Sequence, residues 1–142
     1  MQVAPLVGRL ALEMHRQWPT GVAPEGFIVE VLTSAIQERE GAPPETASRS
    51  AREFLKKAGA DVQMLLERGA GRWGFLHLTF QEFFAAMGLH AAEQFFEEGR
   101  ARLFESRWEE ILRLGVGYMA LVQKRAEGVR RFIQDTLNHQ EH

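Results

Sequence analysis

The chain has 142 residues, 45% hydrophobic and 25% charged, with no cysteine and a formal net charge of −2. That size suits one ordinary domain, or a small one with an extension, and it can bury roughly two-thirds of its unfolded surface without staples. The charge argues against a basic nucleic-acid coat or an acidic solvating tail. Without cysteine there is no disulfide framework, thiolate zinc site or cysteine nucleophile, which fits a cytoplasmic protein. No apolar run approaches the roughly 18 residues of a membrane span. Arg9, Glu13 and Arg16 interrupt the N-terminal apolar positions, so no signal peptide is read there.

In chain order, Val3, Leu6, Val7, Leu10 and Met14 predict a helix over Val3 to Arg16. Pro19, Gly21 and Pro24 make Gln17 to Pro24 a breaker. A second helix starts at Glu25 on the stripe Ile28, Val31, Leu32, Ala35 and Ile36, and Gly41, Pro43 and Pro44 end it. The third runs from about Glu45 to Ala58. It turns Ala47, Ala51, Phe54, Leu55 and Ala58 inward and Arg49, Arg52, Lys56 and Lys57 outward. The period then changes to that of two strands, Val62 to Glu67 and Arg72 to Leu78, around the turn Arg68-Gly69-Ala70-Gly71. The second of these strands places Trp73, Phe75 and His77 on one face.

Thr79 with Glu82 has the form of a capping box. The helix it opens carries Phe80, Phe83, Phe84 and Met87, runs towards Phe95 and Phe96, and closes at Glu97-Glu98-Gly99. Two more helices are expected over Ser106 to Lys124 and Glu127 to Leu137, and a polar tail over 138–142 frays. The fold class expected is mainly α: a winged helix, three helices plus a β-hairpin, followed by an α-helical extension. The expected division is 1–97 for the winged-helix region, 98–137 for the helical segment and 138–142 for the tail.

Much familiar chemistry is missing. Gly69-Ala70-Gly71-Arg72-Trp73-Gly74 matches the dinucleotide pattern in letters, but a strand follows it where the fingerprint needs a helix. There is no P-loop, nucleophile elbow or H-E-x-x-H. Glu97-Glu98 and Glu109-Glu110 are neighbours whose side chains diverge by about 100° on a helix, as solvated faces do. His139 and His142 lie in the polar tail with no carboxylate site around them, so no metal is expected. The chain is not read as an enzyme on its own.

The run from Phe75 to Ala86 carries the strongest signal. It reads F-L-H-L-T-F-Q-E-F-F-A-A and resembles the winged-helix signature of NACHT-type NTPases of the STAND class, whose pattern is close to F-[LI]-H-x-[TS]-F-Q-E-[FY]-[FL]-A-A. Leu65 to Arg68 resembles the strand before that hairpin, Leu10 to His15 the family's earlier helix, and Trp108 to Leu112 the start of the helical region beyond. The resemblance is specific over about residues 60–90 and looser elsewhere.

What it implies is a regulatory, non-catalytic part of a signalling or defence NTPase. An AAA+-like core would supply the P-loop, followed by a helical domain, the winged helix and a C-terminal sensor. His77 matches the family's histidine that contacts the β-phosphate of bound ADP and holds the protein closed. Exchange for ATP then releases it for oligomerisation and effector activation. The implied cofactors are ADP or ATP with Mg in the complete protein, with none bound by this segment alone. The implied partners are the core and sensor of the same polypeptide and, on activation, further copies. Neither a membrane nor nucleic acid is implied. Because the core is absent, the chain is expected to be a fragment of a longer one or a degenerate relative.

Physical chemistry is compatible with the histidine role. An imidazole beside a helix N-terminus can donate to a phosphate oxygen, a charge-assisted contact of about 1.5–3 kcal/mol. About 2 kcal/mol moves a closed–open equilibrium roughly thirtyfold. The bland alternative packs His77 against Trp73 and Phe75. Phe75, Phe80, Phe83 and Phe84 read as core, and Gln81 and Glu82 as capping and interdomain hydrogen-bonding residues. Two other functions fit the sequence. A free-standing winged-helix DNA binder would use Arg49, Arg52 and Lys56 on the third helix, with Arg68 and Arg72 beside the wing. A helical interaction adaptor would use the Phe95-Phe96 region or the Trp108 helix.

Overall fold

The computed structural model describes residues 3–59 and 64–140. Its elements are α1 (Val3–Gln17), β1 (Val22–Pro24), α2 (Glu25–Glu40), α3 (Pro44–Lys57), β2 (Leu65–Glu67), β3 (Arg72–Phe75), α4 (Leu78–Ala91), α5 (Phe95–Ala101), a single 3-10 turn at Ser106–Trp108 and α6 (Glu109–Gln140). The protein is mainly helical with a small three-stranded sheet. Local chemistry explains the early boundaries. Gly41 adopts a left-handed φ of 66° and returns its N–H to Gln37, ending α2. Pro44 then stands in the first turn of α3, where its missing N–H costs nothing.

The strands run antiparallel in the order β1-β3-β2. Trp73 pairs with Ala23 on one side and Glu67 on the other. Gly69 and Gly71, at φ of 104° and 69°, carry the turn between β2 and β3, where the Arg68 N–H donates to the Arg72 carbonyl at 2.7 Å. The glycine run is therefore a hairpin turn. The segment read as a breaker contains a strand, β1. Its three residues lack any local strand signal and are held by pairing with β3, some fifty residues on. Val62 and Gln63, expected to start the first hairpin strand, lie outside the described residues.

One layer of the core is made by α1 and α4. Gly8 lies against Gly88 and His15 against Gln81, so the two helices run antiparallel. A Cβ on Gly88 would stand 2.5 Å from the Gly8 carbonyl oxygen, which shows how near the backbones approach. α6 runs beside α4 in the same direction, with His90 against the Gly115 carbonyl at 3.0 Å. α2 and α3 pack on each other through Ile28, Leu32, Ala47, Ala51 and Leu55, all buried, as the sequence stripes require. Among the described residues no helix is long and apolar enough to cross a membrane.

Four sequence expectations are corrected. The second hairpin strand ends at Phe75, because the chain is helical from Leu78. The capping box is absent: His77 is the N-cap residue, extended at φ −131° and ψ 143°, with no side-chain cap hydrogen bond. Its carbonyl accepts from Phe80 at 3.0 Å, which places Thr79 inside the first turn and takes Glu82 out of capping reach. α4 stops at Ala91, since Glu93 takes a left-handed φ of 57°. Glu97 to Gly99 then lie within α5, so the expected boundary at 97 falls inside a helix. Finally, the two last helices are one. Gln123 to Glu127 are good helix formers with no proline among them, and α6 passes through to Gln140, taking 138–140 out of the expected fraying tail. Beyond Met119 it leaves the body, and every described side chain from Ala120 to Asn138 is exposed.

Candidate functional site: the junction of β3 and α4

The crossing from sheet to helix is fixed by backbone hydrogen bonds. The Arg68 guanidinium donates to the carbonyls of Phe75 (2.8 Å) and Leu76 (3.0 Å), and the Leu76 N–H donates to the Met64 carbonyl at 2.8 Å. His77 follows at the N-cap, exposed, its ring 5.5 Å from that of Phe80. It is not packed on Trp73 and Phe75. The first turn of α4 has no acidic residue and no side-chain cap. The junction thus offers an exposed imidazole, on a backbone fixed by hydrogen bonds just before it, next to the positive end of a 14-residue helix. Such an arrangement can donate to an anion.

Around it, the aromatic residues divide. Phe75 is buried and Phe84 partly so, 6.3 Å apart and stacked. Phe80 and Phe83, expected in the core, are 41% and 44% exposed. The reason is that α1 approaches α4 along the face of Gln81, Ala85 and Gly88, leaving Phe80 and Phe83 turned away from it. Thr79 is exposed on the first turn. Glu82 is half-buried, and burial together with the Glu110 carboxylate raises its pKa.

Gln81 has a structural task that the sequence did not reveal. It is 1% exposed, and its amide nitrogen lies 3.1 Å from Nδ1 of His15, itself buried. The opposite ring nitrogen, Nε2, is 2.7 Å from the Arg107 carbonyl. A carbonyl only accepts, so Nε2 carries the proton and Nδ1 accepts from Gln81. Arg107 returns the bond, donating to the His15 carbonyl at 2.9 Å. The next residue, Trp108, meets the His15 ring edge-on at 4.9 Å. This joint ties α1, α4 and the 3-10 turn together. Its sequence signal was a histidine one position beyond the apolar stripe of the first helix.

Burial, reinforced by the charges of Arg107 and Arg102, lowers the His15 pKa, with the Arg107 carbonyl opposing. The unfolded chain therefore binds a proton near pH 6.5 that the folded chain does not. Stability is full above that pH and falls as the pH drops through 6.5 towards the folded value. Urea unfolding at pH 7.5 and pH 5.5 should show the loss in the native chain and a smaller one in His15→Gln. Equal losses would show that His15 is not its source.

Arg49, Arg52 and Lys56 are exposed on α3 as expected, Arg52 donating to Ser48 at 2.9 Å. Arg52 and Lys56 border a cleft of about 480 Å³ whose far side has Glu25 and Trp73, joined at 3.1 Å. This cleft lies apart from His77. Arg68 is occupied by the backbone of the junction, so only Arg72 of the two wing arginines projects without such bonds. Of the adaptor residues, Trp108 and Phe95 are buried, while Phe96 is exposed. Among the described residues no group of three His, Asp or Glu could hold a metal ion. His142 lies outside the described residues. No family model, curated protein or solved structure matches the chain.

Proposed function

We propose that the chain is the winged-helix module, with its following helices, of a NACHT-type STAND NTPase, and that His77 helps retain ADP in the closed state. The observation that carries this reading is the run Phe75 to Ala86 with its histidine exposed at an uncapped helix start. Support also comes from the element order α1-β1-α2-α3-β2-β3 with an antiparallel β1-β3-β2 sheet, the order a winged helix has. The core and sensor of the same polypeptide, with ADP or ATP and Mg, would complete the site, and cytoplasmic signalling or defence is the setting.

The test uses the complete polypeptide that contains the core. His77→Ala should speed ADP dissociation roughly tenfold or more, the equivalent of one charge-assisted hydrogen bond. Basal oligomerisation should rise with it. In the 142-residue chain alone the same change should leave thermal stability within about 0.5 kcal/mol, because the side chain is exposed. An unchanged ADP off-rate would remove His77 from the switch. A salt-dependent shift of duplex DNA by the purified chain, lost on replacing Arg49, Arg52 and Lys56, would favour the DNA-binding reading instead.

A further inference from the structure

Besides Leu78, Phe80 and Phe83 at the junction, two exposed apolar faces stand out among the described residues. The first is the outer half of α6. Val122 and Ile133 stand about three and six turns beyond Ile111 on the same side of the helix. Ile111 is buried, whereas Val122 and Ile133 are 48% and 52% exposed, so the stripe that seats α6 on α4 continues past the end of α4 with nothing on it. The second is the outer side of α5 and the turn after it, where Phe96, Leu103 and Phe104 are exposed, Phe104 by 97%.

Their charges are opposite. Residues 120–140 carry Lys124, Arg125, Arg130 and Arg131 against Glu127 and Asp135. Residues 93–105 carry Glu93, Glu97, Glu98 and Glu105 against Arg100 and Arg102, and Arg16 of α1 pairs with Glu98, which leaves the face acidic by one charge. An unbroken helix cannot fold back to cover its own root, and α5 sits at that root, with Phe95 against Gly115. The two faces therefore cannot meet within one chain.

We propose that the chain assembles head to tail, the outer half of α6 of one copy lying on the α5 face of the next. Pairing two α6 tails would bring like charges together, while tail on α5 matches basic with acidic and covers apolar surface on both. The contact is heterologous, so each added copy leaves one face of each kind open and the assembly extends or closes into a ring. It involves neither His77 nor a nucleotide, and its failure would leave the ADP reading untouched.

Sedimentation velocity of the 142-residue chain tests this from about 1 μM to about 1 mM, where weak contacts saturate. The mean mass should rise above the 16.1 kDa monomer with concentration and fall back with added salt. Phe104→Glu and Ile133→Glu should each remain monomeric, with unchanged circular dichroism because both sites are exposed. Mixed in equal amounts, they should give double the monomer mass and nothing larger, since one keeps only its tail and the other only its α5 face. A native chain monomeric throughout, a self-associating Phe104→Glu chain or a mixture that stays monomeric would each overturn the proposal.

Discussion

Trp108→Ala is expected to destabilise the protein by about 3–5 kcal/mol, the cost typical of deleting a buried indole. That is a large fraction of the roughly 5–15 kcal/mol available to a domain. The side chain is 1% exposed, touches His15 edge-on, and lies under the Arg102 guanidinium at 4.7 Å from the ring centroid. Its removal opens a cavity and also loosens the neighbouring Arg107–His15 exchange, which holds the start of α6 to α1. Urea unfolding should show the midpoint shift, and Trp108→Phe should recover more than half of it. A loss below about 1 kcal/mol would mean that the site collapses to fill the space.

The second large effect is asymmetric. Gly88→Ala puts a methyl group 2.5 Å from the Gly8 carbonyl oxygen and 3.0 Å from its carbon, both backbone atoms that cannot swing aside. The helices must separate, and overpacking of this kind costs about 1–3 kcal/mol or more. Gly8→Ala meets the same helix at 3.4 Å, a contact the neighbours can nearly accept. The helix propensity gained there, up to about 1 kcal/mol, offsets the remaining strain. Thermal unfolding of the two variants should therefore differ clearly, with Gly88→Ala much the weaker. Equal losses would show a crossing looser than the 2.5 Å approach requires.

These residues also mark what could be read from the sequence. The first three helices were legible because each has an unmixed apolar stripe and a proline or glycine stop. The hairpin was legible from its glycines. What failed was long-range. β1 exists only because β3 supplies its hydrogen bonds, and the nearest hint was Gly74 inside a strand, whose Cβ would stand 2.7 Å from the Gly21 carbonyl. Phe80 and Phe83 were placed inside by residue type, whereas the face α1 selects is that of Gln81, Ala85 and Gly88. Thr79 and Glu82 have the spacing of a capping box, but the helix begins two residues earlier than that spacing needs. For the candidate site, His77 was found through its motif, while its N-cap position and the Arg68 bonds that fix it depended on the fold. The His15–Gln81–Arg107 joint left almost no trace, because its members are as much as 92 residues apart.

That separation bears on how the protein is made. As the chain leaves the ribosome, α1 emerges well before its main partner, α4, and before the Trp108 turn that closes over His15. At about 5–20 residues per second, the face bearing Leu6, Leu10 and Met14 waits roughly 5–20 s for them. During synthesis, α1 is thus an apolar helix on display, and a chaperone that shields such helices would find its substrate there before any of the C-terminal half exists.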